Sequence, residues 1–386
     1  MTLYLIVLMA VLNQIGQKGS KVLISLSAID LGASPITIGM LIAMYAVFPL
    51  LLAVYAGRVT DRIGARWPMV LGSFGMTVAL VLPAAFPSLV ALFCAAALLG
   101  ISNIFFHVSC HNLIGSLGTA QDRTSNFGTF SLGGAVSGML GPVIAGFTVD
   151  RAGYPVAFVL LASIVILPCI LLLCYSSFLP AKVKVKHEEE PGGVKELLRN
   201  RPLRNTVITS GMIISGIDLF NFYMPIYGRS IGLQASMIGV IIGMQAAAAF
   251  VVRLWMPRLA KRFSEERVLA GSLLMAGATY FLFPLFQNPY ILALISFMLG
   301  LGLGCGQPLS IVLTYNHSPP GRAGEALGLR LTVNKFTQVS VPLVFGSLGA
   351  AFGVYPIFWA NAVFLLVGGY VTSKQEPAKT AGTSGE

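Results

Sequence analysis

Twelve apolar runs, each long enough to cross a bilayer, constrain this chain more than any other feature. They fall near residues 3–28, 35–57, 67–86, 88–115, 124–148, 154–178, 204–228, 235–256, 267–286, 290–315, 324–350 and 354–372. A bilayer core of about 30 Å is spanned by about 20 residues of α-helix. Backbone amides in hydrocarbon must be satisfied within the segment, which a helix does, whereas the runs are too long and too poorly alternating for barrel strands. Composition agrees: charged residues make up 10% of the 386 positions, against about 25% in soluble domains. An ordinary soluble enzyme, a disordered chain and a disulfide scaffold are excluded. The expected fold class is an all-α polytopic membrane protein with twelve transmembrane helices in two pseudo-symmetric six-helix bundles.

The formal charge of +11 is explained by where the basic residues fall. With the N-terminus in the cytoplasm, 18 of the 25 Lys and Arg lie in cytoplasmic loops and tails, and only Arg151 and Arg229 lie outside. That asymmetry predicts a multi-pass protein of the cell's inner membrane with both termini cytoplasmic. The basic connection between the sixth and seventh runs then contacts anionic lipid rather than nucleic acid. The segment from Leu3 onward is read as a retained span and not a cleaved leader. Cys94, Cys110, Cys169, Cys174 and Cys305 all sit in apolar stretches and read as small buried hydrophobes.

The polar stretch 179–203 divides the chain into an N-terminal bundle (1–178) and a C-terminal bundle (204–372), followed by a tail (373–386). The two bundles are related by a gapless shift of 200 residues. It pairs Gly39 with Gly239, Arg58 with Arg258, Arg62 with Arg262, Gly100 with Gly300, Pro142 with Pro342 and Gly146 with Gly346. Parallel repeats of this kind place a polar cleft between them.

Between spans two and three the chain reads Gly57-Arg58-Val59-Thr60-Asp61-Arg62-Ile63-Gly64-Ala65-Arg66. This resembles the loop Gly-x-x-x-Asp-Arg-x-Gly-x-Arg of the major facilitator superfamily. Span five, with Gly128, Ser137, Gly141, Pro142, Ala145 and Gly146, is similar to the glycine-rich antiporter motif of that superfamily, although Ser137 and Ala145 stand where glycines are expected. The resemblance covers nearly the whole chain and implies a secondary transporter that rocks two halves about a central site. It assigns conformational gating to Gly57, Arg58, Asp61, Arg62, Gly64, Arg66, Gly141 and Pro142. Two plainer readings stay open: a solvated basic turn for the loop, and helix packing for span five. The second-half loop, Pro257-Arg258-Leu259-Ala260-Lys261-Arg262-Phe263, keeps the basic residues without the Asp or the glycines.

Ionisable groups inside a span are costly and mark a cavity or a partner. Gln14, Gln17, Lys18 and Lys21 share one face of span one. Lys18 and Lys21 can attract an anionic group, or Lys21 can reach the outer interface. The shift places Asp218 at the position of Lys18 and Asn221 at that of Lys21, so Asp218 is expected to pair with Lys18 in one state and to hold a proton or substrate in another. A permanent structural ion pair is the alternative. Asn103, His107 and His111 follow one face of span four, either lining the cavity or packing; the neighbouring Cys110 is too little to make a metal site. Gln307 stands at the repeat position of His107. Arg330 and Asn334 lie one turn apart in span eleven, where Arg330 either binds an anion or pairs with Glu325.

No catalytic residue, metal site or cofactor is expected. The chain is read as a monomeric, non-enzymatic secondary transporter of a small-molecule substrate, coupled to protons and embedded in the lipid bilayer. Proton-coupled export of a small amphipathic organic compound ranks first. Proton-linked uptake of an organic anion is the alternative, and a nontransporting receptor a remote third.

Overall fold

The computed structural model describes residues 2–117, 120–174, 194–319 and 322–374. The charged run Lys182–Glu190 and the tail beyond Lys374, both used above to assign topology, lie outside the described residues.

The first half is built from α1 (Thr2–Asp30), α2 (Pro35–Ile63), α3 (Arg66–Ala85), α4 (Leu89–Gly115) and α5 (Ala120–Cys174). Helix α5 is 55 residues long and carries spans five and six as two arms broken at Gly153, whose φ of +78° suits a residue without Cβ. The sequence places a loop here; the chain instead turns on one glycine between helical arms. A short helix, α6 (Val194–Arg199), precedes the second half. That half contains α7 (Arg201–Ser230), α8 (Ala235–Phe263), α9 (Glu265–Leu282), α10 (Pro289–Gly304), α11 (Gly306–Asn316), α12 (Ala323–Phe352) and α13 (Tyr355–Ser373). Span ten is interrupted at Cys305, which separates α10 from α11. Side-chain oxygens of Ser34, Ser88, Asn200 and Asn288 cap the first turns of α2, α4, α7 and α10.

Among the described residues, nine helices are long and apolar enough to cross a membrane by length and composition. One of these nine is the broken α5. Helices α1 and α12 complete the set of twelve crossings; their rows of Asn, Gln, Lys and Arg dilute an otherwise apolar composition. The most apolar stretch of α7 is 72% buried, against 44% in those of α2, α9 and α13. The outer faces carry Leu51, Phe74, Val90, Leu254, Leu294 and Val363, all exposed and apolar as a lipid-facing surface requires.

The halves meet most extensively along two helix pairs, α5 with α8 and α2 with α12, with a smaller contact of α1 on α7, and the 200-residue shift exchanges the two larger pairs. The Pro142 carbonyl of α5 lies against Gly239 of α8, and the Pro342 carbonyl of α12 lies against Gly39 of α2. Any side chain at either glycine would collide with backbone, so these crossings require glycine. The glycine series in α10 also packs helices, with Gly300 facing the Gln245 carbonyl and Gly304 close to Ala249.

Candidate functional site

A cavity of 120 Å³ lies between the halves, lined by α1, α5, α7, α8 and α10. Its polar wall is formed by Lys18 and Lys21 of α1, Asn221 of α7, and Gln245 and Arg253 of α8. Ile217, Ile242 and Leu303 supply apolar wall. Pro142, expected in gating, also lines it, whereas Gly141 turns to α1, where an added Cβ would sit 2.8 Å from the Ile15 carbonyl oxygen.

The expected Lys18–Asp218 pair is not the one observed. Asp218 Oδ1 pairs with Lys21 Nζ at 3.7 Å, and Lys21 also stands over the Tyr45 ring at 5.7 Å. Lys21 lies nearly one turn further along α1, toward the end where the two halves are joined, and from there reaches Asp218; Lys18 is left facing the cavity. Asp218 Oδ2 is buried and finds no hydrogen-bond partner among the described residues. Asn221 donates to the Ile217 carbonyl at 2.7 Å, and Gln14 sits beside Gly134 of α5.

The remaining expected residues form two clusters outside the cavity wall, one in each half. In the first half His107 and His111 stack edge-on with centroids 4.2 Å apart, and Phe130 lies 5.9 and 4.8 Å from them. Cys110 is buried with Met69, Phe106 and Cys169 in the core of that half, and no group of three metal-ligating residues occurs among the described residues. Asn103 Oδ1 is buried without a hydrogen-bond partner there. In the second half Arg330, 2% exposed, donates to Gln307 Oε1 at 2.7 Å and to Ser310 Oγ at 2.7 Å. Asn334 accepts from Ser210 at 2.9 Å. The two clusters are repeat equivalents: positions 107 and 130 hold imidazole against phenyl, and positions 307 and 330 hold amide against guanidinium. Arg330 therefore does not pair with Glu325. That carboxylate binds Arg322 at 2.6 Å, and Arg322 also reaches Glu196 of α6 at 2.7 Å. Glu325 and Glu196 hold the Arg322 guanidinium above its usual range.

One face of the molecule is closed by polar contacts between the halves. Asp30 accepts from Tyr154 at 2.5 Å and from Arg229 at 3.3 Å, and Arg229 donates to Tyr154 at 3.1 Å. Asp150 accepts from the backbone N–H groups of Ala235 and Ser236 at 3.1 and 2.7 Å, joining the bend of α5 to the N-terminus of α8. Arg253 of α8 bridges to α5 deeper in, donating to Ser131 O at 2.9 Å, and also donates to Gly304 O of α10 at 3.0 Å.

The loop at residues 57–66, expected in gating, lies at the opposite ends of these helices. There Asp61 accepts from Asn112 at 3.0 Å and Arg66 donates to the Leu172 carbonyl at 3.0 Å, so both bind within their own half. Gly64 adopts φ +86° as the loop turns, while Gly57 has open space around it and Arg58 is exposed. The second half repeats the arrangement with different residues. Glu265 accepts from Asn316 at 3.2 Å, and Ser264, at the repeat position of Gly64, adopts φ +67°. The acid that seemed missing from the second loop is thus supplied past its end.

The sequence reading did not nominate Arg253, Gln245 or Asp150. Arg253 carried a usable signal, a cation inside a span. Gln245 and Asp150 had none, since their roles depend on which helices meet.

The chain matches the sequence profile of the Major Facilitator Superfamily over residues 6–267 and 216–386. It is 25% identical over 336 residues to multidrug resistance protein MdtG of Salmonella paratyphi A, spanning 85% of this chain and 82% of that protein; MdtG of Salmonella typhimurium gives the same figures. The fold superposes on the nucleoside transporter NupG with TM-score 0.78 at 14% identity, covering 97% of this chain and 99% of that one. A bacterial homologue of the human lysosomal transporter Spinster, inward-facing and unoccupied, gives TM-score 0.78 at 15% identity, covering 96% and 95%. With two repeat-related bundles around a polar cavity and a profile match across nearly its whole length, the chain belongs to the Major Facilitator Superfamily and is a multi-pass, non-enzymatic secondary transporter.

Proposed function

We propose that this transporter exports a small amphipathic organic compound from the cytoplasm in exchange for protons, acting as a monomer in the inner membrane with both termini inside. The observation that carries this reading is the central cavity, where Lys18, Lys21, Asn221, Gln245 and Arg253 form a polar wall, Ile217, Ile242 and Leu303 an apolar one, and Lys21 pairs with the buried Asp218. Export is supported by the likeness to a multidrug resistance protein and by the glycine-proline arrangement of α5.

Asp218 is the coupling group in this reading. The ion pair with Lys21 requires its carboxylate form; a proton on it abolishes the pair and leaves Lys21 without that partner. The two conditions are mutually exclusive, so proton occupancy biases which arrangement of α1 against α7 is favoured. The face closed by Asp30, Tyr154, Arg229 and Asp150 then opens as the Asp61 face closes. His107, His111, Arg330 and Asn334 flank this movement from either half.

Proteoliposomes with an imposed pH gradient test the assignment. Asp218→Asn is expected to keep substrate exchange at equilibrium while losing accumulation driven by the gradient. Unchanged gradient-driven accumulation would remove the coupling role from Asp218, and accumulation in the direction of proton flow would assign uptake instead.

A further inference from the structure

The charge balance of the cavity identifies what the cavity accepts. Lys18, Lys21 and Arg253 face it, and among the described residues no Asp or Glu lines it. Asp218, behind the wall, makes its ion pair with Lys21 and acts on Lys18 only at longer range. Arg253 spends its described hydrogen bonds on Ser131 and Gly304, all neutral acceptors. Lys18 has no hydrogen bond or ion pair among the described residues. One carboxylate therefore serves three partly buried cations, and neither Lys18 nor Arg253 has an ion-pair partner of its own among the described residues, an arrangement that a protein tolerates poorly unless a ligand or ion completes it. A second observation is independent of charge: Gln245, 7% exposed, has its Nε2 donor buried with no acceptor. The cations ask for negative charge and the Gln245 amide for an acceptor, which a carboxylate or phosphoryl group supplies together, while Ile242 and Leu303 offer apolar wall to the rest of the molecule.

We infer that the substrates are small amphipathic organic anions whose carboxylate or phosphoryl head is held by Lys18, Arg253 and the Gln245 amide. The inference rests on the transport reading above and narrows its substrate class. It also links the head group to coupling, because an anion at Lys18 lies within one helical turn of Lys21 and competes with Asp218 for it.

Benzoate, phenyl phosphate and benzylammonium, three phenyl compounds of different head charge, test this on the purified full-length protein by calorimetric titration. The two anions are expected to bind and benzylammonium not to. Lys18→Gln is expected to weaken anion binding about tenfold or more, as the loss of a charge-assisted contact would, and Lys18→Arg to restore most of it. Preference for benzylammonium, failure of both anions to bind, or anion affinity indifferent to Lys18→Gln in a folded variant would each overturn the inference. Proteoliposomes separate it from the broader reading. Benzylammonium accumulation driven by a pH gradient would sink the anion class and leave proton-coupled transport standing; anion binding without any gradient response would do the reverse.

Discussion

Ser264 shows how a repeat can keep a backbone shape after losing the residue that suits it. Gly64 and Ser264 adopt nearly the same conformation, φ +86° and ψ 167° against φ +67° and ψ 155°, in a region that is strained for any residue with a Cβ. The Ser264 hydroxyl gains nothing visible in return, being buried without a hydrogen-bond partner among the described residues. Ser264→Gly is expected to stabilise the protein by about 1 kcal/mol, read as a higher unfolding temperature in detergent; no change or a loss would mean that the serine makes a compensating contact. The Lys18–Lys21 outcome belongs to the same scale. Spacing put both lysines on one helix face correctly, yet the choice of partner for Asp218 turned on where along α1 the halves converge. A one-dimensional pattern holds no information about that convergence.

At the scale of helices, the 200-residue shift becomes physical contact. Gly39 and Gly239 are equivalent in sequence, and each receives the proline carbonyl of the opposite half, from Pro342 and Pro142. The antiporter-like motif of α5 is thus one of two related close crossings that hold the halves together on one face. Gly239→Leu would force α8 away from α5 at Pro142 while leaving the cores within each half intact. Its expected phenotype is a folded, membrane-inserted protein with transport reduced at least about tenfold, because the closed face can no longer form. Near-normal transport rates in proteoliposomes would show that the crossing is dispensable. Asp150 adds a polar fastening to the same crossing, and it was invisible in the sequence because a carboxylate at a helix bend has no pattern of its own.

For the whole molecule, the fold was legible because lipid imposes one rule on every span, and a gapless repeat survives where Pro, Gly and Arg sit at helix ends. The site was legible in its ingredients more than in its grouping. Gln14, Lys18, Lys21 and Asn221 do converge near the cavity; His107 with His111 and Arg330 with Asn334 instead form separate clusters within their own halves. Gln245 entered only through three-dimensional packing, whereas Arg253 was visible as a cation inside a span but not as a neighbour of Lys18. The central claim is that the two faces open in alternation around that cavity. It is tested most directly by spin-label distances across the halves in a background lacking Cys94, Cys110, Cys169, Cys174 and Cys305. Labels at Leu31 and Gln234 report the face closed by Asp30 and Arg229, and labels at the exposed Ile63 and Phe263 report the Asp61 face. Upon acidification or substrate addition the two distances are predicted to change in opposite directions, one lengthening as the other shortens. If both lengthen together, or both stay fixed while substrate is transported, the account is contradicted.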